Sequence, residues 1–171
     1  IWETRKGKIM NKNLIEQIIP NADRNHRDNF SNISLLDKLT NNEWIYVEGE
    51  LIKLLHEFPE DNLIYETLVY KQSTKCLSVM YENLINCKCE FSKLMIASNI
   101  FSINQDVDMI KIGIKSFNNF DKTDGYYNYK LISAFTFLKA FNNKETNDII
   151  LKFIQYNDSL VSFNANRLLG F

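Results

Sequence analysis

Apolar side chains in this chain return again and again three or four residues apart, and no stretch of comparable length alternates apolar with polar. In the segment Glu43–Phe58, Trp44, Val47, Leu51, Leu55 and Phe58 advance in this way. That spacing lines one face of an α-helix, whereas a half-buried strand needs a period of two. Pro59 follows at once and predicts a stop. A second helix is expected from a cap at Asn62 to about Gln72, with Ile64 and Leu68 inward. A third is expected after a cap at Ser73 or Thr74, carrying Leu77, Met80, Tyr81, Leu84 and Ile85 at helical spacing. Turn chemistry agrees. Five Gly and two Pro in 171 residues are too few for the tight turns that a sandwich or barrel needs about every 8–12 residues. The fold class this predicts is all-α.

Composition narrows the function classes. A net charge of −1 gives no overall drive toward nucleic acid or anionic lipid, so neither is expected as a partner. No apolar run approaches the roughly 20 residues of a membrane-spanning helix, and the first residues lack the apolar core of a signal peptide. A cytoplasmic protein is therefore expected. Met10-Asn11-Lys12-Asn13 reads as a native start, with residues 1–9 as upstream sequence and 10–171 as one helical-repeat domain. Cys76, Cys87 and Cys89 are odd in number and lack CxxC spacing, and neither His26 nor His56 lies near them in sequence, so no metal site is expected. The chain also lacks a phosphate-binding glycine loop, a dinucleotide fingerprint, an HExxH zinc helix and a GxSxG nucleophile elbow. Neither enzyme activity nor a cofactor is expected.

From Phe91 onward the segments resemble one another. Lys93-Leu94-Met95-Ile96-Ala97 aligns with Lys130-Leu131-Ile132-Ser133-Ala134 at an offset of 37, and Asp108-Met109-Ile110 followed by Ile114 aligns with Asp148-Ile149-Ile150 followed by Ile154 at an offset of 40. Helix pairs repeating at that length form stacked arrays. The C-terminus carries Ile149-Ile150-Leu151-Lys152-Phe153-Ile154, then Asn157-Asp158-Ser159-Leu160-Val161, then Ala165-Asn166-Arg167-Leu168-Leu169-Gly170. In this order of helix, Asp-containing turn, Val, small residue and Leu-Leu-Gly it resembles a HEAT repeat, departing from it at Ser162, where that family usually has Arg. The resemblance implies stacked antiparallel helix pairs, a HEAT-like α-solenoid. Asp158 is expected to cap the last helix, Ala165 to allow close packing, and Gly170 to end it.

Two stretches stand out as candidate partner-binding surfaces. Glu43, Glu48, Glu50, Glu57, Glu60, Asp61 and Glu66 cluster with Lys53 as the one Lys or Arg among them, which reads either as a solvated helix face or as an acidic surface for a basic partner. Glu43, Glu50 and Glu57 share one helical stripe, while Glu48 lies on another side. The second stretch is Asp121-Lys122-Thr123-Asp124-Gly125-Tyr126-Tyr127-Asn128-Tyr129, in which Asp124, Tyr126 and Tyr127 are the candidate contacts. Tyrosine offers rigid contact area and a hydroxyl, although such rings also pack into repeat cores. The spaced ligands of an EF-hand are missing from it, so calcium is not expected.

Asn, Ile, Lys, Phe and Tyr are abundant, as in A/T-rich genes, where defence and toxin-related functions are common. A small, locally acidic, HEAT-like chain of this kind resembles the immunity proteins of bacterial toxin–immunity systems, including contact-dependent growth inhibition. The resemblance implies a stoichiometric inhibitor, monomeric when free and heterodimeric with its toxin, that blocks a nuclease with a basic active-site cleft. A helical-repeat scaffold or adaptor without inhibitory action is the alternative.

Overall fold

A computed structural model describes residues 13–20 and 30–171, so the expectation for residues 1–9 lies outside the described residues. Among the described residues every regular element is helical, as the three-to-four spacing predicts. The chain divides into two compact units, Ile1–Val79 and Met80–Phe171.

In the first unit, α1 covers 13–18, α2 is the single turn Ile33–Leu36, α3 is Asn41–Glu57 and α4 is Asn62–Tyr70. Thr40 and Glu43 start α3 with a reciprocal cap. The Glu43 backbone N–H donates to Thr40 Oγ1 at 3.4 Å, and the Thr40 backbone N–H donates to Glu43 Oε2 at 2.8 Å. Val47, Leu51 and Leu55 are fully buried along the expected stripe, with Trp44 half-buried at its start under the Lys71 ammonium, 5.4 Å from the ring centre. Phe58 is exposed and forms the C-cap before Pro59. The cap of α4 is Asp61, whose side chain accepts from the Leu63 N–H at 3.2 Å, one residue earlier than the expected Asn62. Buried Asn32 ties the unit together by donating to the Ile18 carbonyl at 3.1 Å and to Thr67 Oγ1 at 2.7 Å. A helix, α5, follows at Leu77–Asn86. Its start at Leu77 puts the N-cap position at Cys76, past the expected Ser73 or Thr74, and the Ser73 hydroxyl donates to Glu48 at 2.6 Å. Ile85 is 81% exposed, so the apolar stripe of α5 ends at Leu84.

In the second unit, α6 (Glu90–Asn104) packs on α7 (Asp108–Asn118) and α8 (Tyr127–Ala140), and α8 in turn packs on α9 (Lys144–Leu151) and α10 (Ser159–Leu169). Thus α6, α8 and α10 are successive neighbours, with α7 and α9 attached alongside. Ala97, Ala134 and Ala165 are fully buried, one in each of those three helices. Small residues let the backbones approach, and Ser98 Oγ donates to the Phe137 carbonyl at 3.1 Å across the α6–α8 contact. Every residue from Leu94 to Phe101 is buried, Ser98 and Asn99 among them, so this stretch of α6 keeps no face to water. The pairing of Leu94 and Ala97 with Leu131 and Ala134 holds, since all four are fully buried. The expected register of α7 against α9 does not. Asp108 opens α7, but Asp148 lies inside α9 and Ile154 lies beyond its end, so the helix starts are 36 residues apart (108 to 144) instead of 40. A row of rings fills the space between these elements: Phe91 meets Phe120, Phe120 meets Phe117, Phe117 meets Phe153, and Phe153 meets Tyr156 at 5.3 Å.

Gly170, with φ 83°, closes α10 as expected. Elsewhere helices end without glycine. Gln72, Gln105 and Asn142 take left-handed φ values of 51°, 57° and 45° just past α4, α6 and α8. This is how a chain with few glycines still terminates its helices.

Candidate partner-binding site

Hydrogen bonds to two aspartates fasten the Tyr126 segment. Asp121 Oδ1 accepts from the Thr123 N–H at 2.9 Å and from its hydroxyl at 2.7 Å, and Asp124 Oδ1 accepts from the Tyr126 N–H at 2.8 Å. The other Asp124 oxygen pairs with the Lys130 ammonium, one turn into α8. These hydrogen bonds, from Thr123 to Asp121 and from Lys130 to Asp124, hold both carboxyls below their ordinary range, while Asp124 raises Lys130. The segment is therefore split: 119–126 is a pinned connection, and Tyr127, Asn128 and Tyr129 form the first turn of α8.

That turn lies against the start of α10. Asp158 caps α10 by accepting at Oδ1 from the Leu160 and Val161 N–H groups, at 2.9 and 3.0 Å, and its Oδ2 accepts from the Asn128 amide at 2.9 Å. Between the two helix starts opens a cleft of about 370 Å³, lined by Tyr127, Tyr129, Tyr156, Asp158, Asn128 and Lys122 among others. Burial first, and then the nearby Tyr156, raise the Tyr127 hydroxyl above its ordinary value. Tyr126 and Tyr129 are 70% and 67% exposed, and Leu160, which also lines the cleft, is exposed. A second hollow, of about 380 Å³, lies against α7 with Lys111, Lys115 and Glu145, and no aromatic side chain lines it. It offers far less rigid contact area.

Of the second candidate stretch, the structure brings Asp124 and Tyr127 to one cleft, with Tyr126 adjoining. Tyr156 and Asp158 complete it from about 30 residues away, a juxtaposition with no signal in the local sequence.

The acidic stretch belongs to the first unit and is largely engaged in structural bonds. Glu48 requires a correction as a partner contact. It is 5% exposed and points inward, accepting from Ser73 Oγ and Lys75 Nζ, both at 2.6 Å. The reason is local. A left-handed Gln72 turns the chain back after α4, and Glu48 fastens the following residues to α3. Glu43 serves the cap of α3, where the Thr40 hydroxyl and backbone N–H lower its carboxyl, and Asp61 serves the cap of α4. Glu50 pairs with Lys53 at 2.6 Å. Glu57 is exposed in the last turn of α3. Of the seven acids Glu48 alone is buried, while Glu43, Glu57, Glu60 and Glu66 are exposed.

The thiols differ in setting. Cys76 is buried, and burial pushes its thiol up to about 11, whereas Cys89 is exposed at the N-cap position of α6. No helix among the described residues is long and apolar enough to cross a membrane. Compared with models of known protein families, with curated proteins and with solved structures, the chain matches none, so its chemistry rests on its own residues.

Proposed function

We propose that this protein is an immunity protein: a cytoplasmic, non-catalytic inhibitor that binds a cognate bacterial toxin with a basic surface and blocks access to its active site. One observation carries this reading. A pinned connection presents exposed Tyr126, and the first turn of α8 presents exposed Tyr129, beside a tyrosine-lined cleft, and exposed aromatics are what protein interfaces use as anchors. Preorganised side chains lose little entropy on binding, and two tyrosines standing in water gain from being covered. Glu50 and Glu57 add long-range attraction for a basic partner, most plainly Glu57, which is exposed at the end of α3. The resemblance of the C-terminal residues to a HEAT repeat and the A/T-rich residue usage support the same reading, with a toxin nuclease as the partner and a heterodimer as the complex.

The test is protection. The genes flanking this one are searched for a large secreted protein, and the C-terminal region of any such protein is expressed in a heterologous bacterium with and without this chain. Growth arrest by that region, relieved by co-expression of the chain, is the expected outcome. Arrest that the chain does not relieve contradicts the proposal.

A further inference from the structure

We infer that the cleft between the starts of α8 and α10 receives an arginine side chain from the protein partner. This rests on the reading that the protein acts by binding another protein. Its volume, about 370 Å³, sits near the lower end of ligand sites, which span roughly 300–1,000 Å³, and suits one long side chain better than a large cofactor. Tyr127, Tyr129 and Tyr156 line the cleft, and a flat, weakly hydrated guanidinium stacks on tyrosine rings.

Charge selects the cation. The hydrogen bonds that Asp158 accepts come from uncharged donors, two backbone N–H groups and the Asn128 amide. Its negative charge thus remains available to a guanidinium, while Asp124 already has Lys130. Helix N-termini ordinarily attract anions, but here a carboxylate sits at each of the two starts, Asp124 before α8 and Asp158 at α10. An incoming anion would meet both. The exposed rim, Tyr126 and Leu160, would stay wet around a free small molecule and is covered only if the arginine belongs to a protein.

Lys122 is the cation that lines the cleft itself, and it separates the two polarities. It repels a guanidinium and would hold an anion. Its removal therefore shifts binding in opposite directions for the two ligand types.

The test uses the full chain, isotope-labelled and followed by NMR, titrated with a terminally blocked Gly-Arg-Gly tripeptide and with its citrulline counterpart, which is uncharged and of the same shape. Saturating shifts centred on Asn128, Tyr129 and Tyr156 are expected for the arginine peptide, about tenfold weaker for the citrulline one. Asp158→Asn, which keeps a good helix cap, is expected to lose about tenfold in affinity, as is Tyr129→Ala at an exposed position. Lys122→Gln is expected to strengthen binding a few-fold. Equal binding of the two peptides, absence of shifts at the cleft, or loss of binding in Lys122→Gln overturns the inference. Toxin binding by the same variants separates the two claims. Full affinity in folded Asp158→Asn overturns the cleft and leaves the protein-binding reading, which rests on Tyr126 and Tyr129, intact. Peptide shifts as expected, with no toxin binding by the unaltered chain, uphold the cleft as an arginine site and overturn the immunity reading.

Discussion

Gly113→Ala should destabilise the second unit through one contact that can be named. A Cβ at Gly113 would lie 2.7 Å from Cε2 and Cζ of Phe141 and 3.2 Å from Cδ1 of Leu94, where carbon atoms prefer about 3.5–4.0 Å. The ring cannot retreat freely. Phe141 is buried, and its edge meets Phe101 with centroids 5.3 Å apart. Overpacking of this kind costs about 1–3 kcal/mol, whereas alanine in a helix interior is favoured over glycine by about 1 kcal/mol. The two effects oppose each other, so a net loss of about 1 kcal/mol is expected. Gly49→Ala supplies the control, because Gly49 also lies inside a helix but nothing stands within 4 Å of its added Cβ. That variant should gain about 1 kcal/mol, and the difference between the two isolates the clash at about 1–3 kcal/mol. Urea titrations of the helical circular dichroism signal measure both. Hydrogen exchange read at α3 and at α7 assigns each change to its own unit. If Gly113→Ala stabilises α7 as much as Gly49→Ala stabilises α3, the close approach of Phe141 to α7 is wrong.

Three further outcomes follow from the packing. Ala134→Leu, at a fully buried position in the contact between α8 and its neighbours, should cost about 1–3 kcal/mol, seen as a lowered melting temperature. At Glu48 the order of loss should be Glu48→Ala, then Glu48→Gln, then Lys75→Ala. The first strands the buried Ser73 hydroxyl at about 1–3 kcal/mol, while Lys75 is 65% exposed and its pairing is screened by water. Cys76 predicts an alkaline limb. As pH rises from about 9 toward 11, the unfolded chain releases the thiol proton while the folded chain keeps it, so stability falls with pH by about 2 kcal/mol over that window, and Cys76→Ala should lose this part of the slope.

The helices were legible because burial in an all-α fold imposes the three-to-four spacing directly on the chain. Thr40-Asn41-Asn42-Glu43 also carries a capping-box signature in plain view, and with it Glu43 can be assigned to the start of α3. Asp158, Ala165 and Gly170 fulfil the roles their chemistry suggests because caps and close contacts depend on one or two residues at fixed offsets. The register of α7 against α9 was not legible. Asp-Ile-Ile resembles Asp-Met-Ile at the level of letters, but Asn143, whose side chain accepts from the Glu145 N–H at 2.8 Å, sets the start of α9 four residues before Asp148. Glu48 could not be separated from its acidic neighbours, because its burial depends on Ser73 and Lys75 some 25 residues downstream. The candidate cleft was half legible. The Tyr126 segment announces itself by composition, but Tyr156 and Asp158 reach it only once α10 has packed on α8.

The central claim is that this chain works by binding a protein through the surface around Tyr126. The most direct measurement is the affinity for a toxin whose growth arrest the chain relieves on co-expression, compared between the unaltered chain and the Tyr126→Ala/Tyr129→Ala double variant. Both residues are highly exposed, so the double variant should fold with a stability within about 1 kcal/mol of the unaltered chain. Anchoring tyrosines are worth about 2 kcal/mol or more each, so a loss of at least about a hundredfold in affinity is predicted, mostly as faster dissociation. A folded double variant that binds the toxin as tightly as the unaltered chain would contradict the account.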